Sequence, residues 1–203
     1  TRPEVWLQKV CPGCVLRTIN GVERRARRPP YRLVKGPWMT DMIEDLIKSN
    51  RSCRRFVQKE AVPVDTLTWL VNLARMSASA ANLQPLKYIL AHEPHKNEKI
   101  FSCLKWAAYL KDWPGPPEGE QPSAYIIMVG DLNLAKNFGA DMGIAAQSIL
   151  MGARECGLAG CMIGSINKEL LQERFHLPKR LEILLVIALG KPKETAVLED
   201  MQP

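Results

Sequence analysis

Two arginines and a serine lie within four residues of one another in the segment Arg51-Ser52-Cys53-Arg54. Planar guanidinium groups bind phosphate oxygens through paired, charge-assisted hydrogen bonds, and a nearby hydroxyl adds a further donor. The segment therefore suits a phosphate group. A basic cluster at the end of a helix is commonly no more than solvated charge favoured by the helix dipole, so this segment alone leaves both interpretations open.

A second segment combines small residues with amides, because Ser77 to Ala81 is followed by Asn82 and by Gln84. Small side chains let the backbone approach a flat ligand, and the two amides offer donors and acceptors of the kind that the pyrimidine edge of a flavin requires. The alternative is a plain helix-to-strand loop.

A third segment, Gly157 to Gly164, contains three glycines. Glycine permits tight turns and close backbone approach, so a main-chain N–H here can be presented to a ring nitrogen. The segment does not match the G-x-G-x-x-G pattern of dinucleotide-binding folds, which excludes a Rossmann interpretation.

Two further sets of residues are weaker candidates. His92 and His95 lie close together but have no nearby cysteine or third histidine, so we expect solvated loop residues and no metal site. Cys11 and Cys14 have C-x-x-C spacing without the strand and helix of a redox motif or two further zinc ligands, which favours a reduced pair.

Hydrophobic spacing predicts the elements that position these segments. Asp41 and Glu44 form a predicted capping box, and Leu67, Leu70, Val71 and Ala74 mark the buried face of a helix after Pro63. The order of elements favours an α+β fold in which helices surround one sheet. The predicted helices cover about 41–49, the stretch after Pro63, 97–104, 138–156 and 168–175, and the predicted strands cover 86–91, 124–129, 159–163 and 183–188.

Charge divides the chain near residue 38. Residues 1–38 carry nine basic and two acidic side chains and hold the whole net charge of +7, whereas the remainder is balanced at 19 of each. We interpret residues 1–38 as a basic extension, either non-native or disordered, and residues 39–203 as one domain. No apolar run reaches the roughly 18 residues of a membrane span, and no signal peptide is evident, so we expect a cytoplasmic protein without a membrane partner.

Together the three segments resemble the nitroreductase family of FMN-dependent, NAD(P)H-using oxidoreductases, whose pattern combines R-S-x-R-x-F, a P-S-x-x-N-x-Q-P loop and a Gly-Leu-rich turn. The resemblance covers about residues 39–192. It implies a central mixed, mainly antiparallel sheet surrounded by helices and an intertwined homodimer. It also implies ping-pong hydride transfer from NAD(P)H through FMN to nitroaromatics, quinones or another small acceptor, with no catalytic side chain beyond the Gly164 N–H as a donor to flavin N5.

The same resemblance assigns roles to individual residues. One subunit is expected to bind the phosphate, and its partner to place the second segment beside the flavin ring. The expected phosphate ligands are Asn50, Arg51, Ser52, Arg54 and Lys191, the expected partner residues are Ala78, Ser79, Asn82 and Gln84, and the residues on the other side of the ring are Met162, Ile163 and Gly164.

The chain departs from the family pattern at several positions. Asn50 stands where the family more often has Arg, Ala78 replaces the usual Pro, and Leu86 replaces a common Trp. No Arg follows Gly190-Lys191-Pro192, so either Lys191 or Lys193 substitutes as a phosphate ligand or a C-terminal segment is missing. The changes at Ala78 and Leu86 alter loop rigidity and ring packing more than chemistry, and the missing Arg puts the C-terminal phosphate contact in question.

Two classes of function remain open. The first is the reductase just described, although dehalogenation or flavin breakdown is compatible with the same fold. The second is a flavin-binding dimer that acts as a binding module or sensor, whose basic Arg24-Arg25-Ala26-Arg27-Arg28 arm engages nucleic acid or an acidic partner. We expect the first, with no nucleic-acid partner.

Overall fold

The computed structural model describes residues 42–107, 110 and 113–197. The basic extension 1–38, Asp41 of the predicted capping box and the Cys11/Cys14 pair lie outside these residues. The described elements, in chain order, are helices, strands and one 3-10 turn with the following bounds: α1 Met42–Ser49, α2 Val64–Met76, the 3-10 turn Ala80–Asn82, β1 Leu86–Ala91, α3 Pro94–Phe101, β2 Ala124–Asp131, α4 Gly139–Glu155, β3 Ala159–Ile163, α5 Lys168–Arg174 and β4 Leu181–Gly190.

The four described strands form one antiparallel sheet in the order β1-β2-β4-β3. β2 and β4 are central, and every residue of β2 is buried. A strand covered on both faces shows a continuous apolar run instead of polar alternation, which explains the sequence of both central strands. The α+β class with a mainly antiparallel sheet is therefore confirmed.

Helices cover both faces of this sheet. Successive side chains of a strand point to opposite faces, so β2 contributes to two separate core layers. Tyr125 and Ile127 pack in the layer that contains the buried residues of α3 and α5. Ile126 and Met128 pack in the layer that contains the buried residues of α2 and α4.

The predicted helices and strands agree with the described ones to within a few residues. The apolar face proposed for α2 is buried at all four predicted positions. The largest difference is α3, which begins at Pro94 and ends at Phe101, three residues earlier than expected. Proline fits the first turn of a helix because a main-chain N–H at that position would have no intrahelical partner. This preference of Pro94, and not the apolar spacing, determined where α3 begins.

The long helix α4 packs closely against α2 because the side chains on its contact face are small. A Cβ atom at Gly152 would lie 2.4 Å from Leu73 Cδ1 and 3.0 Å from Leu70 Cδ2, so the two helices approach at the distance that glycine allows. Within the described ranges, no helix is both long enough and apolar enough to cross a membrane.

Candidate functional site

A backbone hydrogen bond attaches the arginine segment to the β3 edge of the sheet. The Cys53 N–H donates to the Gly160 carbonyl at 2.9 Å. Glycine is required at this position, because a Cβ at Gly160 would lie 2.6 Å from the Ala188 carbonyl oxygen on β4. The first and third predicted segments therefore lie side by side in one chain.

The residues that follow β4 run along the other part of the same segment. The Val57 N–H donates to the Lys191 carbonyl at 2.8 Å, and the Lys193 N–H donates to the Arg55 carbonyl at 2.9 Å. Both lysines that the sequence offered as phosphate ligands are therefore next to the arginines.

Glu120 distinguishes these two lysines. Lys193 Nζ lies 2.9 Å from Glu120 Oε1, and Arg55 Nη1 lies 3.2 Å from Glu120 Oε2. The hydrogen bond from Lys193 is the main reason that the pKa of the Glu120 carboxyl is lowered. The exposed Lys191 side chain makes no hydrogen bond or ion pair with the part of the chain that the structure describes, which leaves it available to a phosphate.

One side chain of the arginine segment, that of Cys53, points into the core, and its neighbours lie at the surface. Arg51 and Ser52 are exposed, and Arg51 Nη2 donates to the Ile47 carbonyl at 2.6 Å, at the C-terminal end of α1. Cys53 points inward, where its thiol donates to the Arg55 carbonyl at 3.2 Å. Burial raises the pKa of the Cys53 thiol to about 12, so this group is protonated at neutral pH and is not a nucleophile.

The end of β3 provides open space beside this segment. Ile163 is buried, whereas Met162 is 41% exposed and Gly164 is exposed. Apart from its chain neighbours, no atom of the described residues lies within 4 Å of the position that a Cβ of Gly164 would take. Its N–H has no acceptor among the same residues. A free donor next to open space fits one edge of a flat heteroaromatic ring, and the arginines that meet β3 at Gly160, about 13 Å away, fit a phosphate at the far end of such a ligand, so these residues fit FMN.

The second segment has an unusual backbone. Ala81, Asn82 and Gln84 all have positive φ angles, of 49°, 54° and 50°. This left-handed region is unfavourable for residues other than glycine, and such conformations persist only where the surroundings hold them. The shape of the loop is therefore imposed by neighbouring residues.

Asp141, in the first turn of α4, holds the beginning of this loop. Its carboxylate accepts hydrogen bonds from the Ser79 hydroxyl at 2.5 Å and from the Ala80 N–H at 2.9 Å. The Ser79 oxygen in turn accepts the Gln84 N–H at 2.9 Å. Asp141 is buried, and its negative charge adds to the effect of burial in raising the pKa of Tyr88.

The sequence did not lead us to predict the hydrogen bonds of Asp141 to Ser79 and Ala80, which we call the Asp141 clamp. A single acidic residue on the apolar face of α4 was the signal that could have indicated them. The structure also shows that the Ser79 hydroxyl is engaged within its own chain. Its assignment as a flavin-side residue stays a prediction.

A main-chain hydrogen bond holds the end of the loop. The Asp131 N–H donates to the Pro85 carbonyl at 2.9 Å. The Asp131 side chain, which is 8% exposed, accepts a hydrogen bond from Arg180 Nη1 at 2.8 Å. A buried carboxylate therefore fixes the beginning of the loop and a main-chain N–H fixes its end, while Asn82 at its tip is exposed.

The loop and the arginine segment lie at opposite corners of the sheet. Gly160 is paired through Leu189 to Ala124, whereas the loop meets the sheet where Leu86 pairs with Gly130. At strand spacings these points are separated by about 20 Å along β2 and about 14 Å across the sheet. The loop is therefore not brought to the arginine segment within one chain, as expected if a partner subunit supplies it.

The histidines form no comparable site. His95 Nε2 lies 3.4 Å from Glu93 Oε2 on an exposed surface. Over residues 42–107, 110 and 113–197, no group of three or more His, Cys, Asp or Glu residues is placed to hold a metal ion.

Comparison with known proteins gives one consistent result. A family model described as the Nitroreductase family matches residues 47–115 and 121–191. A Bacillus subtilis (strain 168) protein described as an NAD(P)H nitroreductase, YodC, is 25% identical in an alignment of length 188 that covers 78% of this chain and 93% of that protein.

Solved structures share the fold. A Bacteroides thetaiotaomicron protein described as an NADH dehydrogenase/NAD(P)H nitroreductase superposes with a TM-score of 0.66 at 20% identity, over 81% of this chain and 94% of the other. An FMN-dependent nitroreductase from Clostridium difficile R20291 superposes with a TM-score of 0.63 at 20% identity, over 76% of this chain and 90% of the other.

Replacing Asp141 tests the clamp on the loop. We expect Asp141→Ala to lower the free energy of unfolding by about 2–3 kcal/mol, because two donors lose a buried carboxylate. Amide hydrogen exchange at residues 80–84 should accelerate at the same time. The control is Asp65→Ala, an exposed acidic residue in the first turn of α2, which should change stability by about 0.5 kcal/mol. Unchanged exchange at residues 80–84 in Asp141→Ala would contradict the role of this residue.

Proposed function

The chain belongs to the nitroreductase family, and from this membership we propose that it is an FMN-dependent oxidoreductase that passes electrons from NAD(P)H to a small acceptor. The expected acceptor is a nitroaromatic compound or a quinone, reduced in the second half of a ping-pong cycle. The observation that supports this proposal most is the Cys53–Gly160 hydrogen bond, because it attaches the arginine segment to β3, and the open Gly164 position follows about 13 Å further along this strand. A reducing compartment such as the cytoplasm suits the four free cysteines described.

FMN supplies the hydride chemistry when it is bound, and the protein supplies binding and orientation. Arg51, Ser52 and Arg54 bind the phosphate with charged and hydroxyl donors, and Lys191 adds a cation from the C-terminal segment. The adjoining Asn50 stands at the start of this segment.

The end of β3 orients the ring. With FMN bound, Met162 and Ile163 would line one side of it, and the Gly164 N–H would donate a hydrogen bond to N5. A neutral main-chain N–H at N5 stabilises negative charge that develops on this atom, and it does not give up its own proton. The thiols of Cys53 and Cys161 take no part, because burial raises the pKa of both groups.

A second copy of the chain completes the site. Large apolar side chains are exposed on three helices, with α1 and α2 both packed against α4. Exposed apolar surface of this extent is typical of a protein interface. We expect a homodimer that buries a face made of Ile43, Ile47, Trp69, Met76 and Ile144.

In this dimer, the loop of one copy reaches the flavin of the other. Ala78 and Ser79 then approach the ring closely, while Asn82 and Gln84 offer amide donors and acceptors to its pyrimidine edge. The corner-to-corner separation of the loop and the arginine segment within one chain supports this arrangement.

The released cofactor tests the proposal. We expect the purified protein to be yellow, to release FMN by mass at about one per chain, and to oxidise NADH or NADPH when a nitroaromatic compound or quinone is added. Boiled protein and free FMN at the same concentration are the controls. A folded dimer without flavin would contradict the proposal, and salt-sensitive nucleic-acid binding by that dimer, lost on deletion of residues 1–38, would support the binding-module alternative.

Substitution of the arginines tests the phosphate site. Arg51→Ala and Arg54→Ala should each weaken FMN binding by roughly 1.5–3 kcal/mol, because each removes a charge-assisted contact. The matched control is Arg55→Ala in the same segment, whose guanidinium pairs with Glu120 instead. Fluorescence titration should show less than about a threefold change for this control, as expected for an exposed ion pair. Equal FMN affinity in all three variants and the unmodified protein would refute the assignment.

A further inference from the structure

A carboxylate already occupies part of the arginine segment. Glu194 Oε1 accepts the Arg54 N–H at 2.5 Å. Besides burial, the negative charge of Glu194 raises the pKa of the Cys53 thiol, and the charges of Arg54 and Glu194 act in opposite directions on the pKa of the buried Cys161 thiol. An anion of this chain is therefore bound at the residues that we assign to the phosphate.

The donors that hold this carboxylate are those that a phosphate uses. Main-chain N–H groups and guanidinium groups bind carboxylate and phosphate oxygens with the same geometry. A phosphate that enters beside Glu194 meets a like charge, and a phosphate that takes the Arg54 N–H must displace the carboxylate. Either case weakens the binding of a phosphorylated ligand.

The surroundings of Glu194 allow a phosphate to displace its carboxylate easily from the Arg54 N–H. Glu194 comes directly after Lys193, whose N–H donates to the Arg55 carbonyl, so the main chain keeps Glu194 beside the arginine segment. Lys193 and Arg55 are paired with Glu120 and do not neutralise it. Glu194 itself is exposed, so its carboxylate can rotate into water without being buried unpaired.

We propose that Glu194 is an internal anion that occupies the phosphate site of the cofactor-free chain and is displaced by the phosphate of FMN. It thereby determines how strongly the site prefers a phosphorylated flavin to riboflavin. This inference rests on the proposed function, because it assumes that Arg51, Ser52 and Arg54 bind the phosphate. It adds a specificity-determining residue that lies outside the arginine segment.

Flavin titrations of the full chain test this role. The variant is Glu194→Gln, whose amide oxygen can still accept the Arg54 N–H and so preserves the fold while removing the charge. We expect the Kd for FMN to fall roughly 3- to 30-fold, between the values for an exposed and a charge-assisted contact. The Kd for riboflavin, which has no phosphate, should not change. The control for net charge is Glu98→Gln, an exposed residue on α3, which should alter neither Kd.

The possible outcomes separate the two claims. A Kd for FMN that is unchanged or higher in Glu194→Gln would overturn this inference, as would an equal change for FMN and riboflavin, because a purely structural role affects both ligands. Glu194→Asp provides a second measurement. Its shorter side chain moves the charge away from the Arg54 N–H, so this variant should also bind FMN more tightly than the unmodified chain. If no variant and not even the unmodified chain binds either flavin, the proposed function fails, and this inference fails with it.

Discussion

The hydrogen bond between the Cys53 N–H and the Gly160 carbonyl is the contact on which the rest of the site depends. It attaches an irregular, charged segment to the edge strand of an otherwise apolar sheet. The missing side chain at Gly160 lets β3 pack against β4, and the buried Cys53 side chain leaves Arg51 and Ser52 facing outward. The bond also satisfies an edge-strand carbonyl, which is otherwise open to pairing with another chain. One contact thus protects the sheet edge and attaches the arginine segment to the strand that leads to Gly164.

The second part of the site depends on stored strain. Three residues other than glycine have left-handed backbone conformations in a single loop, whose ends are held by the Asp141 carboxylate and by the Asp131 main-chain N–H. The family pattern usually has a proline where this chain has Ala78, and the Asp141 clamp provides rigidity that a proline otherwise gives. Strain concentrated at an exposed loop tip is typical of functional sites, where contacts in the surrounding fold stabilise the strained backbone.

The sequence predicted the fold well, because the strands and helices have strong apolar patterns. β2 and β4 are apolar along most of their length because both of their faces are covered there, and the buried face of α2 recurs at helical spacing. The contacts of the site were harder to predict. Asp141 and Glu194 act on residues that are 62 and 140 positions away in the chain, so no local pattern indicates them. The choice between Lys191 and Lys193 likewise depended on Glu120, which only the folded chain places beside Lys193.

The central claim is that each flavin site takes its phosphate segment from one chain and its ring loop from another, and mixed dimers test it most directly. One chain carries Arg51→Ala and Arg54→Ala, and the other carries Asn82→Ala and Gln84→Ala, so that neither homodimer binds FMN well. The shared site predicts that a mixed dimer regains one intact site, with FMN bound at about half the unmodified level. If mixing restores no FMN binding, each site lies within a single chain and the account is wrong.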